Sequence, residues 1–221
     1  MARFGPVLTA MITPFDDHGR LDLDGAAALA EALAAPGGGG GGVAGGTGEA
    51  ASPPGGEQAG VGRAVRAALP HHPVIGGGGG NDPRHAVELT GHAARAGLDA
   101  VLVVTPYYNR PSQAGLEAHF RTVAAATDLP VLLYDIPIRT GRKISTDLLL
   151  RLAEVDNIVG VKDAAGDPAE SARLLAHAPD GFELHLRGPV GRQIVHQAGL
   201  PVLIDRLTEA QQGQLVQRRV G

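Results

Sequence analysis

A lysine that closes an apolar run is a candidate nucleophile, and Lys162 does so after Ile158-Val159-Gly160-Val161. The chain holds only two lysines beside 17 arginines, so a lysine in this setting stands out from generic surface charge. An amine among apolar walls favours its neutral form, which can attack a carbonyl carbon and form a Schiff base. A lysine at a strand end can equally snorkel into solvent. The other one, Lys143 in Gly141-Arg142-Lys143, has the surroundings of a solvated side chain. Tyr134 closes the preceding apolar run, and a phenol beside an imine-forming amine can shuttle protons. The alternative is a tyrosine that caps the core with its hydroxyl in water. Arg139, in the loop that follows, offers a planar fork suited to a carboxylate, although isolated loop arginines usually face water.

These residues need a scaffold that brings strand ends together. Apolar runs at 7–12, 74–75, 100–104, 130–134 and 158–162 read as strands. Amphipathic stretches at 22–33, 82–96, 113–126, 145–152 and 168–177 read as helices, the second opening on Asn81 or Asp82 as its cap. Strands alternating with helices at this spacing predict parallel βαβ units, and their number predicts a closed α/β (β/α)8 barrel, the TIM-barrel architecture. In such a barrel the reacting groups lie at the C-terminal ends of the strands. Those ends are Thr13-Pro14-Phe15, Gly45-Gly46-Thr47-Gly48-Glu49, Thr105-Pro106-Tyr107-Tyr108-Asn109, Tyr134 through Gly141, and Lys162-Asp163.

Glycine is over-represented, at 33 residues, and runs at 37–42 and 76–80 fall where the second strand and the end of the third belong. Neither run carries a dinucleotide fingerprint with an acidic ribose partner. Each glycine there costs roughly 0.5–1 kcal/mol relative to alanine and gives the barrel no side chain. The formal charge is −4 with the signs interspersed, which leaves nucleic acid and anionic membranes as poor partners. With no cysteine, disulfides, thiolate metal sites and a cysteine nucleophile are excluded. No apolar run is long enough to span a bilayer and the N-terminus has no signal-type apolar region, so a cytoplasmic protein is expected.

Over roughly 5–182 the sequence resembles the dihydrodipicolinate synthase / N-acetylneuraminate lyase family. Tyr134-Asp135-Ile136-Pro137-Ile138-Arg139-Thr140-Gly141 resembles its Y-[ND]-[VI]-P-x-R-[TS]-G element. Gly160-Val161-Lys162-Asp163-Ala164 resembles the segment carrying its Schiff-base lysine, and Pro106-Tyr107-Tyr108-Asn109-Arg110-Pro111 its P-Y-Y-N-x-P element. The resemblance implies a lyase in which Lys162 forms an imine with pyruvate and Tyr134 handles protons beside it. Tyr108 would be a relay tyrosine reaching into a neighbouring subunit of a homo-oligomer, a dimer or a dimer of dimers. Thr47 and the backbone around it, Gly46 included, would hold the pyruvate carboxylate. Arg139 would receive the carboxylate of a second substrate, aspartate semialdehyde, which points to the synthase branch and to lysine and diaminopimelate biosynthesis. No metal or organic cofactor is implied, because the imine is itself the electron sink. A related aldolase or lyase acting on 2-keto-3-deoxy sugar acids or sialic acid, and a non-catalytic relative, are the alternatives.

The chain departs from the family at three places. Its second-strand element reads Gly45-Gly46-Thr47-Gly48-Glu49 against G-T-T-G-E, so Gly46 stands where a threonine hydroxyl would link the two tyrosines. The glycine runs replace ordinary strand residues. After Phe182 the family pattern is lost: 183–186, 191–198 and 201–204 read as a compressed strand–helix–strand, and 208–219 as a last helix. The expected organisation is a barrel body over 1–182 with family motifs and an atypical segment over 183–221, making the barrel shortened or irregular at its C-terminal end.

Overall fold

Short polar residues open the helices. Asp82 accepts a hydrogen bond from the Arg84 N–H ahead of Pro83, and Ser112, Ser145 and Asp167 do the same for Gly115, Leu148 and Glu170. Each cap satisfies one of the amides that a helix start leaves without a partner. The computed structural model describes residues 3–5, 7–34, 40–43, 48, 55–187 and 202–203. Eight strands alternate with the helices: β1 Val7–Ala10, β2 Gly40–Val43, β3 Val74–Gly77, β4 Ala100–Val104, β5 Val131–Asp135, β6 Ile158–Asp163, β7 Glu183–Arg187 and β8 Val202–Leu203. The helices are α1 Leu23–Ala34, α2 Gly55–Ala68, α3 Pro83–Arg95, α4 Gln113–Ala124, α5 Pro137–Thr140, α6 Thr146–Leu152 and α7 Pro168–His177. None of them is long and apolar enough to cross a membrane.

All pairings are parallel and run in chain order, and β8 returns to β1, so the sheet closes as the expected barrel. Strand alternation splits the apolar residues into two layers. Val74, Val101, Val103, Val131, Leu133, Ile158, Val161, Leu184 and Leu186 face outward to helical residues such as Leu29, Val65, Phe120 and Leu148. Leu8, Ile75, Ala100 and Leu132 face inward with Phe4 and fill the barrel floor.

The structure departs from expectation at two places. The interval between β2 and β3 holds a helix, α2, which buries Val61, Val65 and, just past its end, Leu69. Arg139 lies in the one-turn helix α5 and not in a loop. The strands expected at 183–186 and 201–204 are present as β7 and β8, which take the seventh and eighth places in the ring. The expected helices at 191–198 and 208–219 lie outside the described residues.

The glycine runs do not prevent strand formation at β2 and β3. Just past β3 a side chain on Gly79 would collide with the Val104 backbone nitrogen, so glycine there permits a close approach to β4.

Candidate active site

Lys162 faces the barrel interior because β6 is irregular. Val131 pairs with Ile158, but the next residue, Leu132, pairs with Gly160, leaving Val159 as an extra residue. Ile158 and Val161 both pack outward, three positions apart, which strict alternation forbids. The bulge switches the parity and turns Lys162 inward. Without it, the lysine would face the helical layer.

Lys162 is 6% exposed, and Tyr134, its register partner on β5, is 5% exposed. The Lys162 Nζ stands over the Tyr134 ring, 4.4 Å from its centroid. The Thr105 hydroxyl and backbone N–H both donate to the Tyr134 carbonyl at 3.0 Å, which ties the ends of β4 and β5 together. Lys143, in contrast, is partly exposed and 3.9 Å from Asp167. The expected proximity of Lys162 and Tyr134 is therefore present in the fold.

One position further on, Asp135 and Asp163 are paired in register and face the other side of the sheet. Asp135 is buried and accepts the Ile144 N–H at 3.2 Å. Burial raises its carboxyl to about 7, with the neighbouring Asp163 charge adding to the effect; the Ile144 bond and Lys143 oppose it. Asp163 accepts the Ala165 N–H at 2.8 Å and the Ser171 hydroxyl at 2.6 Å, so it anchors the start of α7.

The loop after β4 is stitched to the segment around α5. Arg110 Nε donates to the Gly141 carbonyl at 3.0 Å, Arg142 to the Arg110 carbonyl at 3.1 Å, and Gln113 to the Lys143 carbonyl at 2.8 Å. Gly141 closes α5 at φ 70°. Arg139 is exposed on α5 at the C-terminal face of the barrel. Tyr108 is 90% exposed and holds φ 69°, an unusual conformation for a bulky residue. Within the chain it is turned to solvent. Thr47 and Gly46 lie outside the described residues; next to them, the Gly48 carbonyl accepts the Thr13 hydroxyl at 2.6 Å and joins the ends of the first two strands.

Two inward polar residues, Glu183 and His185, escaped the sequence reading. The signal was present in the alternation Glu183-Leu184-His185-Leu186, whose leucines face the helices. Among the described residues no group of three His, Asp or Glu side chains is placed to hold a metal ion.

The dihydrodipicolinate synthetase family model matches residues 3–188. A 4-hydroxy-tetrahydrodipicolinate synthase of Acidothermus cellulolyticus is 52% identical over 176 residues, covering 79% of this chain and 57% of that protein. The dihydrodipicolinate synthase of Bacillus anthracis superposes with a TM-score of 0.88 at 35% identity, covering 92% of this chain and 70% of that one. The corresponding enzyme of Cyanidioschyzon merolae, solved with lysine bound, superposes at 0.89 with 36% identity, covering 100% and 75%. The chain spans about three fifths of the length of the curated relatives it matches. With its barrel, its inward lysine beside Tyr134 and these matches, the chain belongs to the dihydrodipicolinate synthetase family.

Proposed function

We propose that the chain is a lyase that condenses pyruvate with aspartate semialdehyde through a Schiff base on Lys162, giving 4-hydroxy-tetrahydrodipicolinate. The observation that carries this reading is the buried Lys162 amine, turned into the barrel by the bulge and placed 4.4 Å from the Tyr134 ring centroid. A buried amine next to a phenol combines a nucleophile with an acid–base group. The names of the relatives support the choice of reaction.

In this reading Lys162 forms the imine and Tyr134 exchanges protons beside it. Thr47 and the Gly46 backbone hold the pyruvate carboxylate, and Arg139 receives the carboxylate of the aldehyde. The imine supplies the electron sink, so no further cofactor is needed. Tyr108 serves a neighbouring subunit of a homo-oligomer, which its exposure and its strained backbone support. The protein would act in the cytoplasm on small-molecule substrates, with no nucleic-acid or membrane partner.

The test is borohydride reduction in the presence of pyruvate, followed by peptide mass mapping. The expected result is a reduced pyruvate adduct on Lys162 and none on Lys143. An adduct on Lys143 alone, or no adduct on folded protein, would refute the reading.

A further inference from the structure

Inside the barrel, β7 contributes two polar side chains that the roles above do not use. His185 is the register partner of Lys162, and Glu183 is the register partner of Gly160. Leu184 and Leu186 pack outward, so both polar residues face the interior on the same side as the lysine. They are 1% and 7% exposed. His185 Nε2 lies 2.9 Å from a Glu183 carboxyl oxygen, and the other oxygen accepts the Arg3 backbone N–H. A carboxylate only accepts, so the shared hydrogen belongs to Nε2, and in the neutral imidazole the lone pair then lies on Nδ1. Nδ1 is buried and has no hydrogen-bond partner among the described residues. Apart from these two and the Lys162–Tyr134 pair, the inward cluster is apolar: Leu8, Ile75, Ala100, Leu102 and Leu132.

A buried acceptor without a donor is costly to a fold unless it is kept for a task. The nitrogen-bearing side chain at its register position is Lys162. We propose that His185, oriented by Glu183, is the proton acceptor for the Lys162 nitrogen during imine formation. This rests on the Schiff-base reading and adds a residue to it.

The Nζ lone pair bonds to the keto carbon while the carbonyl π pair moves to oxygen. The cationic nitrogen gives one proton to Nδ1. Oxygen receives two protons, one relayed from the imidazolium through the Tyr134 phenol and one from solvent. Water then leaves as the nitrogen lone pair closes C=N, giving the protonated imine. Glu183 faces the transient imidazolium and stabilises it.

The experiment compares the rate of pyruvate-dependent borohydride trapping in wild type, His185→Leu and His185→Asn. Asparagine keeps a buried polar side chain at 185 but cannot take up a proton. Both variants should trap about a hundredfold more slowly or worse, within the usual contribution of a positioned acid–base group. An Asn variant within twofold of wild type would reduce His185 to a structural role and overturn the proposal. A second measurement needs neither turnover nor a folded His185 variant: the ring-nitrogen NMR shifts of His185 in wild type and in Lys162→Met. Replacing the amine should move the Nδ1 resonance; an unchanged resonance overturns the proposal. Absence of trapping in wild type would defeat the Schiff-base reading, while the NMR comparison would still decide whether His185 and Lys162 are coupled.

Discussion

Asp135→Asn should stabilise the protein above neutral pH. The carboxyl is buried, and its value rises from 3.8 to about 7, mainly through burial and further through Asp163. A group whose folded value is raised stabilises the fold at low pH, and that contribution is lost as pH climbs from about 4 through about 7. At about 1.36 kcal/mol per unit, a shift of roughly three units amounts to about 4 kcal/mol above pH 7. Asparagine is nearly isosteric, retains an oxygen to accept the Ile144 N–H, and carries no charge to bury. The family element allows Asn or Asp at this position. The assay is urea denaturation of wild type and variant at pH 4.5 and pH 8. The two should be similar at the lower pH, and the variant should be ahead by about 2–4 kcal/mol at the higher one, with an unchanged m-value. A gap that does not widen with pH, or a variant weaker at pH 8, would refute the electrostatic account of Asp135.

Two more variants probe the reading from different sides. His119→Leu should remove a stability loss in acid: both ring nitrogens are buried without partners among the described residues, and burial pulls the imidazole down to about 4 from 6.5, with Asp82 opposing weakly. Here the unfolded state binds the extra proton, so wild type loses about 3 kcal/mol between pH 6.5 and 4, and melting curves of the Leu variant should lack that slope. In wild type this loss offsets much of the gain from Asp135 over the same window, so only the single variants expose either slope. Arg139→Ala should weaken use of aspartate semialdehyde roughly ten- to a hundredfold while leaving pyruvate trapping nearly unchanged, because a charge-assisted contact is worth about 1.5–3 kcal/mol. Equal loss in both assays would assign Arg139 to structure.

Elements with an apolar run or a regular amphipathic period could be read from the sequence closely. Strand β4 and helix α7 match the reading to the residue, β1 and β6 differ by one or two positions at an end, and β5 is shifted by one. Helix α2 was missed because Gly55, Gly56, Gly60 and Gly62 dilute its signal, each costing about 1 kcal/mol in a helix relative to alanine. What forms it is tertiary: Val61, Val65 and Leu69 recur every four residues and are buried. Helix α5 is one turn long, too short for any period to register, and Gly141 ends it. The neighbourhood of Lys162 and Tyr134 was legible because both close consecutive strands of a parallel sheet.

The side of the sheet on which Lys162 falls was not legible, and that is what makes it a candidate nucleophile. A continuous apolar run such as Ile158-Val159-Gly160-Val161 carries no alternation, so it is silent about parity. Parity is decided at Val159, where β6 gains a residue against β5. Gly160 makes the altered register possible, since a side chain there would strike the Glu183 carbonyl and the Leu132 side chain. Glycine at 160 thus admits β7 closely enough for Glu183 and His185 to enter the barrel beside the lysine. The same backbone irregularity that aims the amine inward is what brings an imidazole to its register position. The inward orientation of Lys162 is therefore a property of strand register, shared between β5, β6 and β7, and a lysine motif alone could not disclose it.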